Sequence, residues 1–514
     1  MKTIVTNYIY ALKSTLRTYR KIFNRPLKVI IVSISIIMMV GCTLTEPTEF
    51  QQVETYPSIF PDYVGVTIPA NIAPLRFKLS VEADDALAVI SRGNNKLCVP
   101  SKGGSFLIDE SDWKQLLTGA EGDSLLIKVY AEQQGNWKLY RPFIWKVAPD
   151  PVDPYLAYRL IEPGYELWNR MGIYQRDLTS FDEEPIIHNE RTGNNCMNCH
   201  TFNQQSPDTI MFHQRAQNGG TYIVSGDKVD KIDAKLGKDF NGIVYPSWHP
   251  SGKFIAFSSN KIRQSFARAH RNRVEVYDLE SDLVIYDVAR HEILSDSLVS
   301  GKASFETFPT FSPDGKKLYF CSARAVTMPQ NYQDVHYNLC SVNFDADARK
   351  IFGKVDTIVS VMPGKKSVSF PRVSPDGKNL VFVLSDFGNF SIWHREADLY
   401  MINLQTGKMR ALEEINSKET ESFHTWSSTG KWMVFSSRRI DGLYTHPYIS
   451  YLQSDGTFSK PFVLPQRDPN FYRYYMKSFN LPEFLKGKVE IDSSVLWKAT
   501  REKGIKLKWA ESDR

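Results

Sequence analysis

Cys196-Met197-Asn198-Cys199-His200 sets two thiols and an imidazole in the order CxxCH, the pentapeptide on which c-type haem is mounted. In that chemistry the thiols add across the two porphyrin vinyl groups, and the adjacent imidazole becomes the proximal iron ligand. The chain has six Cys and ten His in 514 residues, so composition alone does not produce the pattern. A structural zinc is the competing reading, but zinc needs four ligands, and neither a second CxxC nor an H-x3-H follows. The expected cofactor is one covalent haem c, attached through Cys196 and Cys199 with His200 as proximal ligand. Arg191, in the Asn-rich stretch before the motif, is the candidate partner for a propionate.

A sixth ligand has to come from nearby. Thr209-Ile-Met-Phe-His-Gln-Arg215 supplies Met211 and His213 on one face of a strand, because side chains alternate with period two. His213 is the first candidate. His249 is the second, since it replaces the Ser found at the corresponding place in related segments described below. Met211 and His188 are lesser options, Met being core material at such spacing. Bis-His ligation would make a low-potential carrier, His/Met a higher one, and an open position would admit a small ligand.

Haem c is attached outside the cytoplasm, and the N-terminus addresses that condition. Residues 1–28 carry Lys2, Lys13, Arg17, Arg20, Lys21, Arg25 and Lys28 with no acid, and Val29–Val40 is a 12-residue apolar run. That is too short to span a bilayer and right for a signal h-region. The run ends Met39-Val40-Gly41-Cys42, which resembles a bacterial lipobox and marks Cys42 for lipidation. Loss of residues 1–41 takes the formal charge from +6 to −1, so the basic balance belongs to the leader and nothing points to nucleic acid. The expected location is the cell envelope, lipid-anchored, with the membrane and a redox or envelope protein as partners. A basic loop from Lys261 to Arg273 is a candidate docking element for an acidic partner.

The remaining cysteines are Cys98, Cys321 and Cys340. The last two fall on neighbouring strands, where either a cross-strand disulfide or two buried thiols fits the spacing. Cys98 reads as core filling.

An internal repeat sets the architecture. Pro246-Ser-Trp-His-Pro-Ser-Gly252-Lys253, Pro309-Thr-Phe-Ser-Pro-Asp-Gly315-Lys316, Pro371-Arg-Val-Ser-Pro-Asp-Gly377-Lys378 and His424-Thr-Trp-Ser-Ser-Thr-Gly430-Lys431 align without gaps, and five residues after each Gly comes Phe257, Phe320, Phe382 or Phe435. Pro presets φ at a tight corner, Asp or Ser bonds back to the backbone, and Gly supplies the positive φ that closes a hairpin. Phe370 to Glu413 reads as four strands, and four-stranded units repeated radially make a β-propeller. Gly-to-Gly spacings of 63, 62 and 53 suit blades with long loops. Met211 to Asp233 reads as a degenerate first blade, and Tyr472 to Trp509 as completing a sixth by strand exchange.

These segments resemble the propeller repeats of TolB-type proteins over about Tyr245 to Pro469, which implies an all-β, six-bladed fold. Phe77 to Val147 shows short alternating strands, most consistent with an immunoglobulin-like sandwich, closed off by the proline-rich Ala148 to Pro154. The expected organisation is a leader at 1–41, a tether at 42–58, the sandwich at 59–150, a linker and haem-binding segment at 151–207, and the propeller at 208–514. Lipobox, sandwich, CMNCH and blades together resemble envelope lipoproteins of Bacteroidetes-type bacteria that join a single haem motif to a TolB-like propeller. That resemblance implies the fold and an envelope location, while the haem motif points to electron transfer or redox sensing. The alternatives are a propeller scaffold for an envelope protein or peptide with a structural or regulatory haem, and a haem enzyme with an open axial site. G-x-S-x-G, HExxH and P-loop motifs are absent, which argues against hydrolysis of those kinds.

Overall fold

The computed structural model describes residues 45–162, 170–237, 240, 242–267, 272–361 and 365–510. From Phe50 onward the chain forms one compact unit. It is a six-bladed β-propeller preceded by a β-rich module.

Five blades run in sequence, each starting at its innermost strand. Blade 1 is Met197–Phe202, Thr209–Gln214, Gly220–Ser225 and Lys228–Asp233. Blade 2 begins at Val244–Trp248, blade 3 at Ser304–Phe311, blade 4 at Ser367–Val373 and blade 5 at Glu421–Trp426. Blade 6 is composite: Tyr155–Ile161, Met171–Asp177 and Glu183–His188 supply three strands, and the C-terminal Ser478–Leu485 inserts as the innermost one. The ring is therefore closed by strands from both ends of the propeller sequence.

The propeller thus begins at Tyr155 and takes in the stretch expected to be linker and haem-binding segment. Blade 1 starts at Met197, ahead of the expected degenerate blade. Beyond the closing strand, the helix Ser493–Arg501 leads to Ile505–Lys506 and Lys508–Trp509. These pair in parallel with the outer edges of blades 1 and 2, covering edges that would otherwise offer free hydrogen-bonding groups.

The repeated turns do what their composition predicts. In blade 3 the Ser312 hydroxyl accepts from Lys317 N at 2.9 Å, and Gly315 sits at φ +73°. Blade 4 repeats this with Ser374, Asn379 and Gly377 at φ +71°.

The N-terminal module is a ten-stranded arrangement in which eight strands follow one hydrogen-bonded order and two branch from it, with two parallel pairings and a helix at Glu110–Leu117. The parallel pairings and the branch depart from the expected immunoglobulin-like sandwich of antiparallel sheets. The module's core centres on Trp113 and Trp145, whose indole N–H groups donate to the Ile72 and Tyr63 carbonyls at 2.8 and 2.6 Å. The proline-rich segment after it is pinned to blade 5: Trp432 donates to the Asp150 carbonyl, Tyr451 to its carboxylate, and Ser428 N to Asp153.

Candidate functional site

One feature recurs in every innermost strand. Cys199, Tyr245, Phe308, Phe370, Phe423 and Leu481 all have φ between +50° and +52°, and each marks a register shift against the next strand. A left-handed conformation costs a non-glycine residue about 1–2 kcal/mol. Six repeats of it are a device of the fold: the bulge turns these side chains, and those two residues on, toward the central channel.

The bulge explains the CxxCH. Cys199-His200-Thr201-Phe202 occupies in blade 1 the place that Phe423-His424-Thr425-Trp426 occupies in blade 5, with Pro at the His position in the other four blades. His200 is buried, and burial pulls its pKa down to about 3 against a backbone contact at Leu481. His424, in the same place, donates Nε2–H to the Val381 carbonyl at 2.9 Å and is likewise pulled to about 3 by burial. Cys196 packs in the apolar cluster between blades 6 and 1 with Met171, Ile187 and Phe202, whereas Cys199 lines the channel. The space beside Cys199 and His200 is about 40 Å³, room for a water or two at about 30 Å³ each. Among the described residues, the three side chains line no space of porphyrin size.

The proposed distal ligands fail on geometry. Thr201 pairs with Met211 and Phe202 with Ile210. Met211 lies in the cluster facing blade 2, and Phe202 and Ile210 in the one facing blade 6. By alternation His213 shares the Met211 face and His200 the Phe202 face, so the two imidazoles sit on opposite sides of one sheet. His213 Nδ1 meets the Thr221 hydroxyl at 2.8 Å. His249 bridges two turns: Nδ1 meets Ser251 Oγ at 2.7 Å and Nε2 the Gly315 carbonyl at 3.2 Å, among Phe254, Phe311 and Phe344. His188 lies at the outer edge of blade 6. The Arg191 side chain and Cys42 lie outside the described residues. Cys321 and Cys340 are free thiols: Cys321 pairs with Leu339 and Cys340 with Phe320, an offset of one residue that puts them on opposite faces. Cys98 is half-buried beside a small satellite core.

What the bulges do build is a channel site. At bulge level four rings cluster, Tyr245–Phe308, Phe308–Phe370 and Phe370–Phe423 lying 4.3, 4.1 and 4.9 Å apart. Two residues further along each strand, Thr201, Ser247, Thr310, Arg372, Thr425 and Glu483 form a polar ring. Trp248 and Trp426 wedge between blades below it, their indole N–H groups donating to the Thr201 and Arg372 carbonyls of the preceding blade at 3.4 and 3.2 Å. Between this ring and the turns lies a cavity of about 160 Å³ that includes Arg372 and Glu483 in its wall.

Arg372 Nη1 donates to the carbonyl of its own neighbour Pro371 at 2.9 Å, and among the described residues its other nitrogens have no protein partner. Burial lowers its pKa, with Glu483 opposing, but a guanidinium stays charged. Glu483 Oε2 accepts from Phe202 N at 3.1 Å and from Thr201 Oγ1 at 3.4 Å, which leaves Oε1 to the cavity. Burial raises its pKa to about 7 against those hydrogen bonds and Arg372. The two side chains make no ion pair with each other. Sequence reasoning passed over both residues. The signal was Arg372 standing where the other aligned repeats have Ser or Thr; Glu483 lay in a strand that the repeat did not reach.

The opposite end of the channel is covered. Strands Phe254–Phe266 and Val274–Asp287 of blade 2 extend past the sheet. Asp278 there accepts from Asn260, Tyr337 and Asn389, and Glu275 meets His394 Nε2 at 3.0 Å. Of the basic stretch expected as a docking loop, residues 261–266 belong to the first of these strands, and residues 268–271 lie outside the described residues.

No family model matches the chain. A dipeptidyl-peptidase 5 of Porphyromonas gingivalis is 23% identical over 186 residues, covering 34% of this chain and 22% of that protein. The chain thus spans about a fifth of that relative's length. Among solved structures, an oligogalacturonate lyase with manganese matches at TM-score 0.34 and 14% identity, covering 51% of this chain and 63% of that one. Porphyromonas gingivalis dipeptidyl peptidase 4 matches at TM-score 0.30 and 11% identity, covering 82% and 63%. By name these are peptidases and a lyase. With the CxxCH residues built into a blade and a dipeptidyl-peptidase as a curated relative, the expectation of an electron-transfer or redox-sensing cytochrome is overturned.

Proposed function

We propose that the chain is a binding propeller that takes the carboxylate end of a short peptide into the turn-side cavity, and that lipid on Cys42 holds it at the cell envelope. The observation that carries the first part is Arg372: a guanidinium fixed in a cavity wall, bonded among the described residues only to its neighbour's carbonyl. Such a group recognises carboxylates through paired N–H donors. The similarity to a dipeptidyl peptidase supports a peptide as the bearer of that carboxylate. Among the cavity hydroxyls, Thr425 donates to the Pro482 carbonyl at 2.7 Å and Thr201 to the Glu483 carboxylate at 3.4 Å.

The test is calorimetric titration with Ala-Ala and its C-terminal amide. The acid is expected to bind the wild type, and the amide and the Arg372→Met variant to lose about tenfold or more, the scale of one charge-assisted hydrogen bond. Equal affinity for acid and amide contradicts the reading. For the envelope anchor, fatty-acid labelling that disappears in Cys42→Ser is the expected result.

A further inference from the structure

We infer that the ligand has both ends free, a peptide of about two residues lying across the channel, with Glu483 receiving its α-ammonium while Arg372 holds its carboxylate. This rests on the cavity reading above and names the ligand class for it. Three observations carry it.

First, Arg372 and Glu483 are the charged members of the polar ring, they have opposite sign, and they stand on blades 4 and 6 with Thr425 of blade 5 between them. They face one cavity without pairing, so a ligand carrying both charges can fill the gap. Second, Glu483 is oriented like a receptor. The Phe202 N–H and the Thr201 hydroxyl both hold Oε2, fixing the carboxylate and leaving Oε1 free for an N–H donor. Third, the cavity is small. The rings of Tyr245, Phe308, Phe370 and Phe423 cluster just above the polar ring, and a cavity of about 160 Å³ has room for about five waters. Two residues span at most about 7 Å, so a dipeptide suits a site whose two charged groups lie at one level. A longer chain has to leave one end outside.

Titration at this ring is simple to follow. Tyr245, Cys199, His200, His424 and Arg372 are the other ionisable groups around the cavity and the small space above it. His200 and His424 stay neutral down to about pH 3, and Arg372 stays charged. Glu483 loses its proton near pH 7, and a peptide amine loses its own near 7.7–8.0. Affinity for a free-ended peptide is therefore greatest between about pH 7 and 8.

The experiment titrates Ala-Ala, N-acetyl-Ala-Ala and Ala-Ala-amide into the wild type and Glu483→Gln, which keeps an acceptor for Phe202 N. Acetylation is expected to weaken wild-type binding tenfold or more and to cost less than twofold in E483Q. If acetylation changes nothing in the wild type while amidation still abolishes binding, this inference fails and the carboxylate reading stands. If none of the three peptides binds the folded wild type, both fail.

Discussion

At Gly315 a single atom is decisive. The residue has φ +73°, and a Cβ there would overlap the His249 imidazole. Gly315→Ala combines left-handed strain with a clash and is expected to lower unfolding free energy by about 2 kcal/mol or more. Because Ser holds the His249 place in three other blades, His249→Ser in the same background is expected to recover the part due to the clash. Denaturant unfolding of the four proteins checks this as a double-mutant cycle. The same repeat logic applies to His200. The segments His200-Thr201-Phe202 and His424-Thr425-Trp426 were comparable in the sequence, but the CxxCH reading of blade 1 hid the match, and blade 1 lacks the Gly-Lys turn that flags the others. Protein matured alongside a cytochrome c assembly system is accordingly expected to show no pyridine haemochrome. A two-thioether haem spectrum that disappears in Cys196→Ser contradicts the blade assignment of that motif.

Among elements, Ser478–Leu485 carries most of the closure, because it is the innermost strand of blade 6 and pairs with Tyr155–Ile161. A chain ending before Ser478 leaves that blade three-stranded and is expected to lose its cooperative unfolding transition. A chain ending after Leu485 keeps the ring and loses only the edge straps, so it is expected to fold with a lower Tm. Scanning calorimetry distinguishes the two. The paired blade-2 strands at the far end depend on pH through His394. Burial pulls His394 down, but Glu275 and Glu396 outweigh it and raise it to about 9. A raised histidine stabilises fully below about 6.5 and loses that contribution as pH rises through about 9. Amide exchange in Val274–Asp278 is expected to accelerate beyond the intrinsic pH effect above that point, and His394→Gln to show the acceleration at neutral pH. Four of the six blades were legible because Pro, Asp and Gly mark their turns. The closing pair of blade 6 was not, since Tyr155–Ile161 and Ser478–Leu485 lie more than 300 residues apart in sequence, and no local pattern encodes such a pairing. The one-residue register offset between Cys321 and Cys340 was beyond reach because spacing along the chain does not fix strand register.

At the scale of the whole molecule, the cavity lies on the side of the repeated turns, and the long strands of blade 2 extend past the sheet on the other side. The N-terminal module grips blade 5 through Asp150 and Asp153. The all-β class followed from the repeat and the blade number from the resemblance to TolB-type propellers, whereas the channel chemistry emerged only when the bulges brought separate strands to one ring. The most direct measurement is titration of Ala-Ala into folded wild type, Arg372→Met and the Cys196→Ser/Cys199→Ser double variant, with thermal unfolding as the control on each. The expected result is saturable one-site binding to the wild type, retained by the double-cysteine variant and weakened about tenfold or more in Arg372→Met. Binding that is absent from the wild type, or unchanged in Arg372→Met, would contradict a peptide site in the propeller channel.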